Sequence, residues 1–183
     1  MTGLSDETCL QGLPAQLAPD CRVLVLGSMP GNASLQAAQY YAHPRNRFWP
    51  VMGALCGFDP QLDYPQRLAG LHRAGVGLWD VIGQCRRHGS LDAAIVRGSE
   101  VPNAVAELVA GLPQLAAIAC NGAMAMQAFK RHVAPCLPAG RCNALQVLAL
   151  PSTSPANAAW SLPRLLSQWR QLSAWLPPAA GEH

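Results

Sequence analysis

Five short stretches gather side chains able to bind or cleave something, and each sits at or just beyond the end of an apolar run. The first, Gly27-Ser28-Met29-Pro30-Gly31, is a tight turn whose glycines let backbone N–H groups approach a ligand. It has neither the G-x-G-x-x-G spacing nor the Lys-Ser/Thr of a phosphate-binding loop, so nucleoside-triphosphate hydrolysis finds no support. The second, Tyr40 to Trp49, packs aromatics, His43, Arg45, Asn46 and Arg47 into ten positions. An aromatic face stacks on a base, an Asn bonds a base or holds a water, and an Arg meets phosphate. The plainer reading makes Phe48 and Trp49 core anchors and His43 a brace for its own loop. Asp80 and Asn121 end two further apolar runs. Finally, Pro151-Ser152-Thr153-Ser154-Pro155-Ala156-Asn157 offers three hydroxyls where a phosphate could bind, although such residues also cap helices with no ligand present.

Positioning these segments together requires strands that end at one place. Arg22–Met29, Val76–Ile82, Leu115–Cys120 and Leu145–Leu150 read as buried strands, each followed by Gly, Asn or Pro. Helical spacing lies between them: Val105, Leu108, Val109 and Leu112 behind a first-turn Pro102, and a longer stripe from Leu162 to Leu176. Phe48–Cys56 and Gln66–Arg73 are weaker helical candidates. Strands alternating with helices predict a parallel sheet covered on both faces, with ligands at the carboxyl ends of the strands. Residues 1–19 read as an N-terminal extension, 20–176 as one domain and 177–183 as a mobile tail.

Composition narrows the classes. The chain has 183 residues, 50% of them hydrophobic and 13% charged, which suits one folded domain rather than disorder. Its apolar runs are too short to span a membrane, and Asp6 and Glu7 interrupt any signal sequence, so a cytosolic location is expected. Seven scattered cysteines without C-x-x-C spacing read as mostly buried free thiols, not as a metal or iron–sulfur site. The formal charge of +3, carried by twelve arginines and one lysine, permits nucleic-acid binding without requiring it.

Together, Gly27–Gly31, the stretch Tyr41-Ala42-His43-Pro44-Arg45-Asn46-Arg47-Phe48-Trp49, and Leu150–Pro155 resemble the uracil-DNA glycosylase superfamily. The second stretch is similar to the mismatch-specific uracil/thymine branch. With Gly-Ser-Leu-Asp at 89–92, the set most resembles the hypoxanthine-DNA glycosylase branch. The resemblance implies a three-layer α/β/α sandwich around a four-stranded parallel sheet, and hydrolysis of an N-glycosidic bond to a base flipped from DNA. It implies no metal and no cofactor, and a monomer is expected. Tyr41 would be the stacking platform. Gly27, Ser28, Met29, Pro30, Gly31, His43 and Asn121 would line the base pocket. Ser152, Thr153, Ser154, Ala156, Asn157, Arg45 and Arg47 would meet DNA.

One position departs from the family. Related branches carry Asp, Glu or Asn at the third position of the first turn, where this chain has Met29. The polar catalyst must come from elsewhere: Asn46 first, by likeness to the mismatch-specific branch, and Asp80 second. Ala156 stands where some branches have a larger wedge. No lysine lies in the pocket loops, so Schiff-base chemistry is disfavoured. Two other readings remain open on sequence: a non-catalytic DNA-binding module of the same fold, and a hydrolase of free nucleosides.

Overall fold

Period-two alternation in the central strands sorts side chains between two cores. The computed structural model describes residues 9–178. In β2 (Val23–Gly27), Val23 and Val25 face one hydrophobic cluster while Leu24 and Leu26 face another, all with no exposed surface. The same split runs through β6 (Ala117–Asn121), with Ala117 and Ala119 on the first side and Ile118 and Cys120 on the second. The small alanines face the cluster that holds Phe48, Trp49 and Trp169, so bulky helix residues fill the space the strand leaves.

With β3 (Val76–Asp80) and β7 (Gln146–Leu150), these strands form a sheet of order β3-β2-β6-β7, every pair parallel. The helices α2 (Phe48–Cys56), α3 (Tyr64–Arg73) and α7 (Leu162–Trp169) supply the first cluster. The second is supplied by α4 (Val105–Ala110), α5 (Ala123–Ala128) and the following turn through Phe129 and Val133. The expected three-layer α/β/α sandwich with a four-stranded parallel sheet is borne out. Two further short helices, α1 (Asn32–Ala37) and α6 (Ala139–Ala144), had no sequence signal that separated them from loop.

Several details differ from expectation. The run Val76–Ile82 is two strands: β3 ends at Asp80, and the chain re-enters as β4 (Ile82–Arg86) in a second, antiparallel sheet. That sheet pairs β4 with β1 (Cys9–Gln11) and β5 (Val101–Pro102). Pro102 therefore sits in a strand, and α4 begins only at Val105, three residues later. Cys9–Gln11 and the bridge from Gln16 to Leu78 tie much of the expected N-terminal extension to the body. Residues 1–8 and 179–183 lie outside the described residues. β7 is an edge strand with mostly exposed residues, not a buried one. Of the seven cysteines, all free, Cys21, Cys85 and Cys120 are buried, whereas Cys9, Cys136 and Cys142 are exposed. No helix among the described residues is long and apolar enough to cross a membrane.

Candidate active site

The parallel strands end on one cleft of about 960 Å³. Its walls include Gly27–Gly31, Tyr41, His43, Asn46, Asp80, Asn121 and Ser152–Asn157, so fold topology brings together nearly every residue the sequence nominated. Arg45 and Arg47 are the nominated residues that do not line it.

Asp80 closes the floor. It is 4% exposed, and its backbone carbonyl accepts a hydrogen bond from Asn103 Nδ2 at 2.8 Å. Its carboxylate lies over Gly27, where a methyl group would collide with Oδ1; the strand ends approach this closely because residue 27 has no side chain. Oδ2 is buried with no hydrogen-bond partner. Burial, and then the nearby Asp92 carboxylate, push the Asp80 carboxyl up to about 7, with Arg87 pulling the other way. Near neutrality this side chain is therefore part protonated acid, part carboxylate.

Tyr41 lies beside it in the left-handed region, at φ 54°, a strained conformation for a residue with a side chain. Its ring stacks on Phe48 at 3.9 Å between centroids and 21° between planes. Phe48 and Trp49 are core anchors, with Trp49 Nε1 donating to Tyr40 O at 3.1 Å. The Tyr41 hydroxyl is buried without a partner at bonding distance. Burial first, then Asp80, raise it well above the usual phenol range, while the Asn121 amide offsets part of the shift.

Asn46 lines the cleft with its Oδ1 accepting the Phe48 N–H at 3.0 Å, a bond that fixes the amide at the start of α2. His43 accepts the Arg45 N–H on Nδ1 at 3.1 Å and so braces its own turn. Met29 answers the puzzle set by the first turn. Its side chain is buried with Ile82 and Cys85, against Leu10, Leu35 and Ile95, beneath the antiparallel sheet. The sequence could not show that this position points into a small core.

The last loop is tied down from within. Asn121 and Thr153 exchange two hydrogen bonds of 3.0 Å, and Thr153 has no exposed surface, so it links the loop to β6 instead of reaching DNA. Gly122, at φ 98°, admits Ser152 within 2.9 Å of where a Cβ would stand. Arg47 donates to the carbonyls of Ser154 (2.7 Å), Asn157 (3.1 Å) and Trp160. These bonds tie both terminal nitrogens of its guanidinium to loop carbonyls, with Nε buried, so Arg47 is the loop's tether where a phosphate contact was expected. Trp169 Nε1 adds a bond to Pro151 O at 3.0 Å, and Asn157 Nδ2 one to Ser152 O at 2.9 Å. Ser152, Ser154 and Ala156 remain on the cleft rim, with Ala156 exposed; Arg45, just before Asn46, is exposed too.

Sequence reasoning gave no site role to Ser90, Leu91 and Asp92, which also line the cleft. Ser28 Oγ donates to Asp92 Oδ2 at 2.5 Å. Buried Arg87 spans the turn, donating to Gly89 O at 2.9 Å and Pro30 O at 2.6 Å. The Gly-Ser-Leu-Asp string was the available signal. Among the described residues, no group of three or more His, Cys, Asp or Glu is placed to hold a metal ion.

An open α/β sheet with a polar-floored cleft at its strand ends offers a pocket for a ligand that makes hydrogen bonds. The family model described as the uracil DNA glycosylase superfamily matches residues 14–176, and the chain belongs to that superfamily. It is similar to a hypoxanthine DNA glycosylase of Methanosarcina acetivorans, with 34% identity over 160 residues, 87% of this chain and 94% of that protein. A hypoxanthine DNA glycosylase of Methanosarcina barkeri is 42% identical over 86 residues, 46% of this chain and 54% of that protein's length. A solution NMR structure of a candidate uracil DNA glycosylase from M. acetivorans superposes with a TM-score of 0.75 at 30% identity, covering 91% of this chain and 97% of the other. The expected enzyme class, a DNA N-glycosylase, is borne out.

Proposed function

We propose that this chain excises hypoxanthine from DNA, hydrolysing the bond between the base and deoxyribose C1′. The observation that carries the reading is the pair of buried, unpartnered polar atoms at the cleft floor, Asp80 Oδ2 and the Tyr41 hydroxyl. Such atoms cost stability unless a ligand completes them. Hypoxanthine carries a carbonyl where adenine carries an amine, so a protonated Asp80 donating a hydrogen bond there accepts one and rejects the other. The names of the Methanosarcina relatives support the same base.

In the reaction, the C1′–N9 bond breaks with its electron pair on the leaving base, and water adds at C1′. The water's proton ends on the released base. Negative charge accumulates on the base, and a donor preorganised in a dry pocket stabilises it most as the bond breaks. Asp80 fills that role. Tyr41 stacks on the base with Phe48 behind it. Asn46, oriented by its bond to the Phe48 N–H, positions the attacking water; a neutral amide orients a water without acting as a strong base. Ser152, Ser154, Ala156 and Arg45 meet the DNA at the rim. Met29 packs in the core, so its apolar character carries no sign of a lost active site, and the catalytic reading prevails over the binding-module one.

The test is a pH–rate profile on a deoxyinosine duplex. Single-turnover rates should fall as pH rises through about 7 and Asp80 loses its proton. Asp80→Asn, which keeps a donor, should flatten the profile while retaining activity. Full activity above pH 9 in the wild type would rule out the protonated-acid role.

A further inference from the structure

We propose that Leu91 is the apolar side chain that enters the duplex and fills the gap left by the everted nucleotide, an inference that rests on the function proposed above. Five large hydrophobic residues among those described are exposed: Leu91, Val101, Met124, Val147 and Leu162. Leu91 is the most exposed, at 59%, and it alone of the five lines the cleft. Solitary surface leucines need no explanation. This one differs because the backbone carrying it is fastened on both sides to the turn that follows β2.

Before it, Ser90 Oγ accepts the Asn32 N–H at 3.0 Å, and Arg87 clamps Gly89 to Pro30 through their carbonyls. After it, Asp92 accepts the Ser28 hydroxyl at 2.5 Å and the Ile95 N–H at 3.1 Å. The Leu91 carbonyl itself accepts the Ala94 N–H at 3.0 Å. The lip is rigid and its tip is greasy. Across the cleft, the loop Ser154–Asn157 offers only Ala156 as an exposed apolar side chain, too short to reach into a base stack.

Everting a base leaves a gap that solvent fills poorly, and proteins that distort duplexes commonly insert Leu, Ile, Met or Phe there. A leucine on a fixed lip beside the pocket mouth meets that need with little loss of chain entropy, since the loop is already ordered.

Single-turnover excision should be measured for wild type, Leu91→Ala and Leu91→Met on deoxyinosine in a duplex and in a single strand. A parallel series would place 2-aminopurine beside the lesion to report unstacking. Leu91→Ala should lose roughly 10- to 100-fold on the duplex and less than about 2-fold on the single strand, with the 2-aminopurine signal diminished. Leu91→Met should restore both readouts. Unimpaired single-strand rates also report an intact fold; should the wild type cut duplex alone, the 2-aminopurine signal decides. Equal loss on both substrates, or none on the duplex with an unchanged 2-aminopurine signal, would overturn the assignment. A wild type inactive on both substrates would instead overturn the proposed reaction itself.

Discussion

Replacing Asp80 with Asn should change how stability depends on pH, and the direction and size follow from the floor of the cleft. Burial and Asp92 lift the Asp80 carboxyl from 3.8 to about 7 in the folded protein. Between those values the native state holds a proton that the unfolded chain has released. Stability contributed by this group is therefore full below about pH 4, declines as pH rises from 4 to 7, and is flat above. A shift of about 3 units at ~1.4 kcal/mol each amounts to about 4 kcal/mol, of which about 3 kcal/mol falls between pH 5 and pH 8. The amide introduced by Asp80→Asn never ionises, so the variant escapes this loss. For a chain of this size 1 kcal/mol moves Tm by about 2–4 °C. The Tm of Asp80→Asn should therefore rise relative to wild type by roughly 6–12 °C between pH 5 and pH 8. Thermal unfolding of both proteins at four pH values decides the matter. Parallel curves, with a Tm difference independent of pH, would mean that Asp80 ionises as an ordinary surface carboxylate and would refute the account of the floor.

Substitutions at four other positions probe the site. Asn46→Ala should lower the single-turnover rate by roughly 10²–10³ with DNA affinity unchanged, as for loss of one preorganised group, read by excision and by gel shift. Gly27→Ala drives a methyl into Asp80 Oδ1 and should cost about 100-fold or more in rate, with circular dichroism unchanged. Arg45 and Arg47 should separate in salt titrations of DNA binding. Losing exposed Arg45 should reduce the slope of log Kd against log salt by about 1, whereas Arg47→Met should leave the slope alone. Arg47→Met should instead lower stability by about 2–4 kcal/mol, because three loop carbonyls lose their charged donor.

The parallel sheet was legible in the sequence because four apolar runs each ended in Gly, Asn or Pro, even though β7 at the sheet edge exposes most of its residues. The second sheet was not. β5 has two residues, one of them Pro102, and β1 has three, lengths at which periodicity carries no signal. Val81 marks where the parallel sheet stops, yet it is as apolar as the Ile82 that follows, so Val76–Ile82 looked like one strand. Among site residues, Asp80 was visible as a polar group at a strand end, and Tyr41 and Asn46 as part of a polar and aromatic cluster before a helix. Met29 read as a missing catalyst because the sequence cannot say which way a turn residue points. Arg47 looked like a phosphate partner because its acceptors are carbonyls more than 100 residues away, which no local pattern reveals. Leu91 was noted only as part of the Gly-Ser-Leu-Asp string and given no role, because exposure belongs to tertiary structure.

The central claim is that this chain removes a deaminated purine from DNA by hydrolysis, and excision from labelled duplexes tests it most directly. Duplexes carrying deoxyinosine, uracil or thymine opposite each base would be incubated with enzyme and then treated with alkali to cut abasic sites. The account predicts alkali-dependent cleavage at deoxyinosine above all, greatly slowed in Asn46→Ala and in Asp80→Ala. Absence of abasic sites on every substrate, despite tight and salt-dependent binding, would contradict it and leave a protein that reads damaged DNA without cutting the base away.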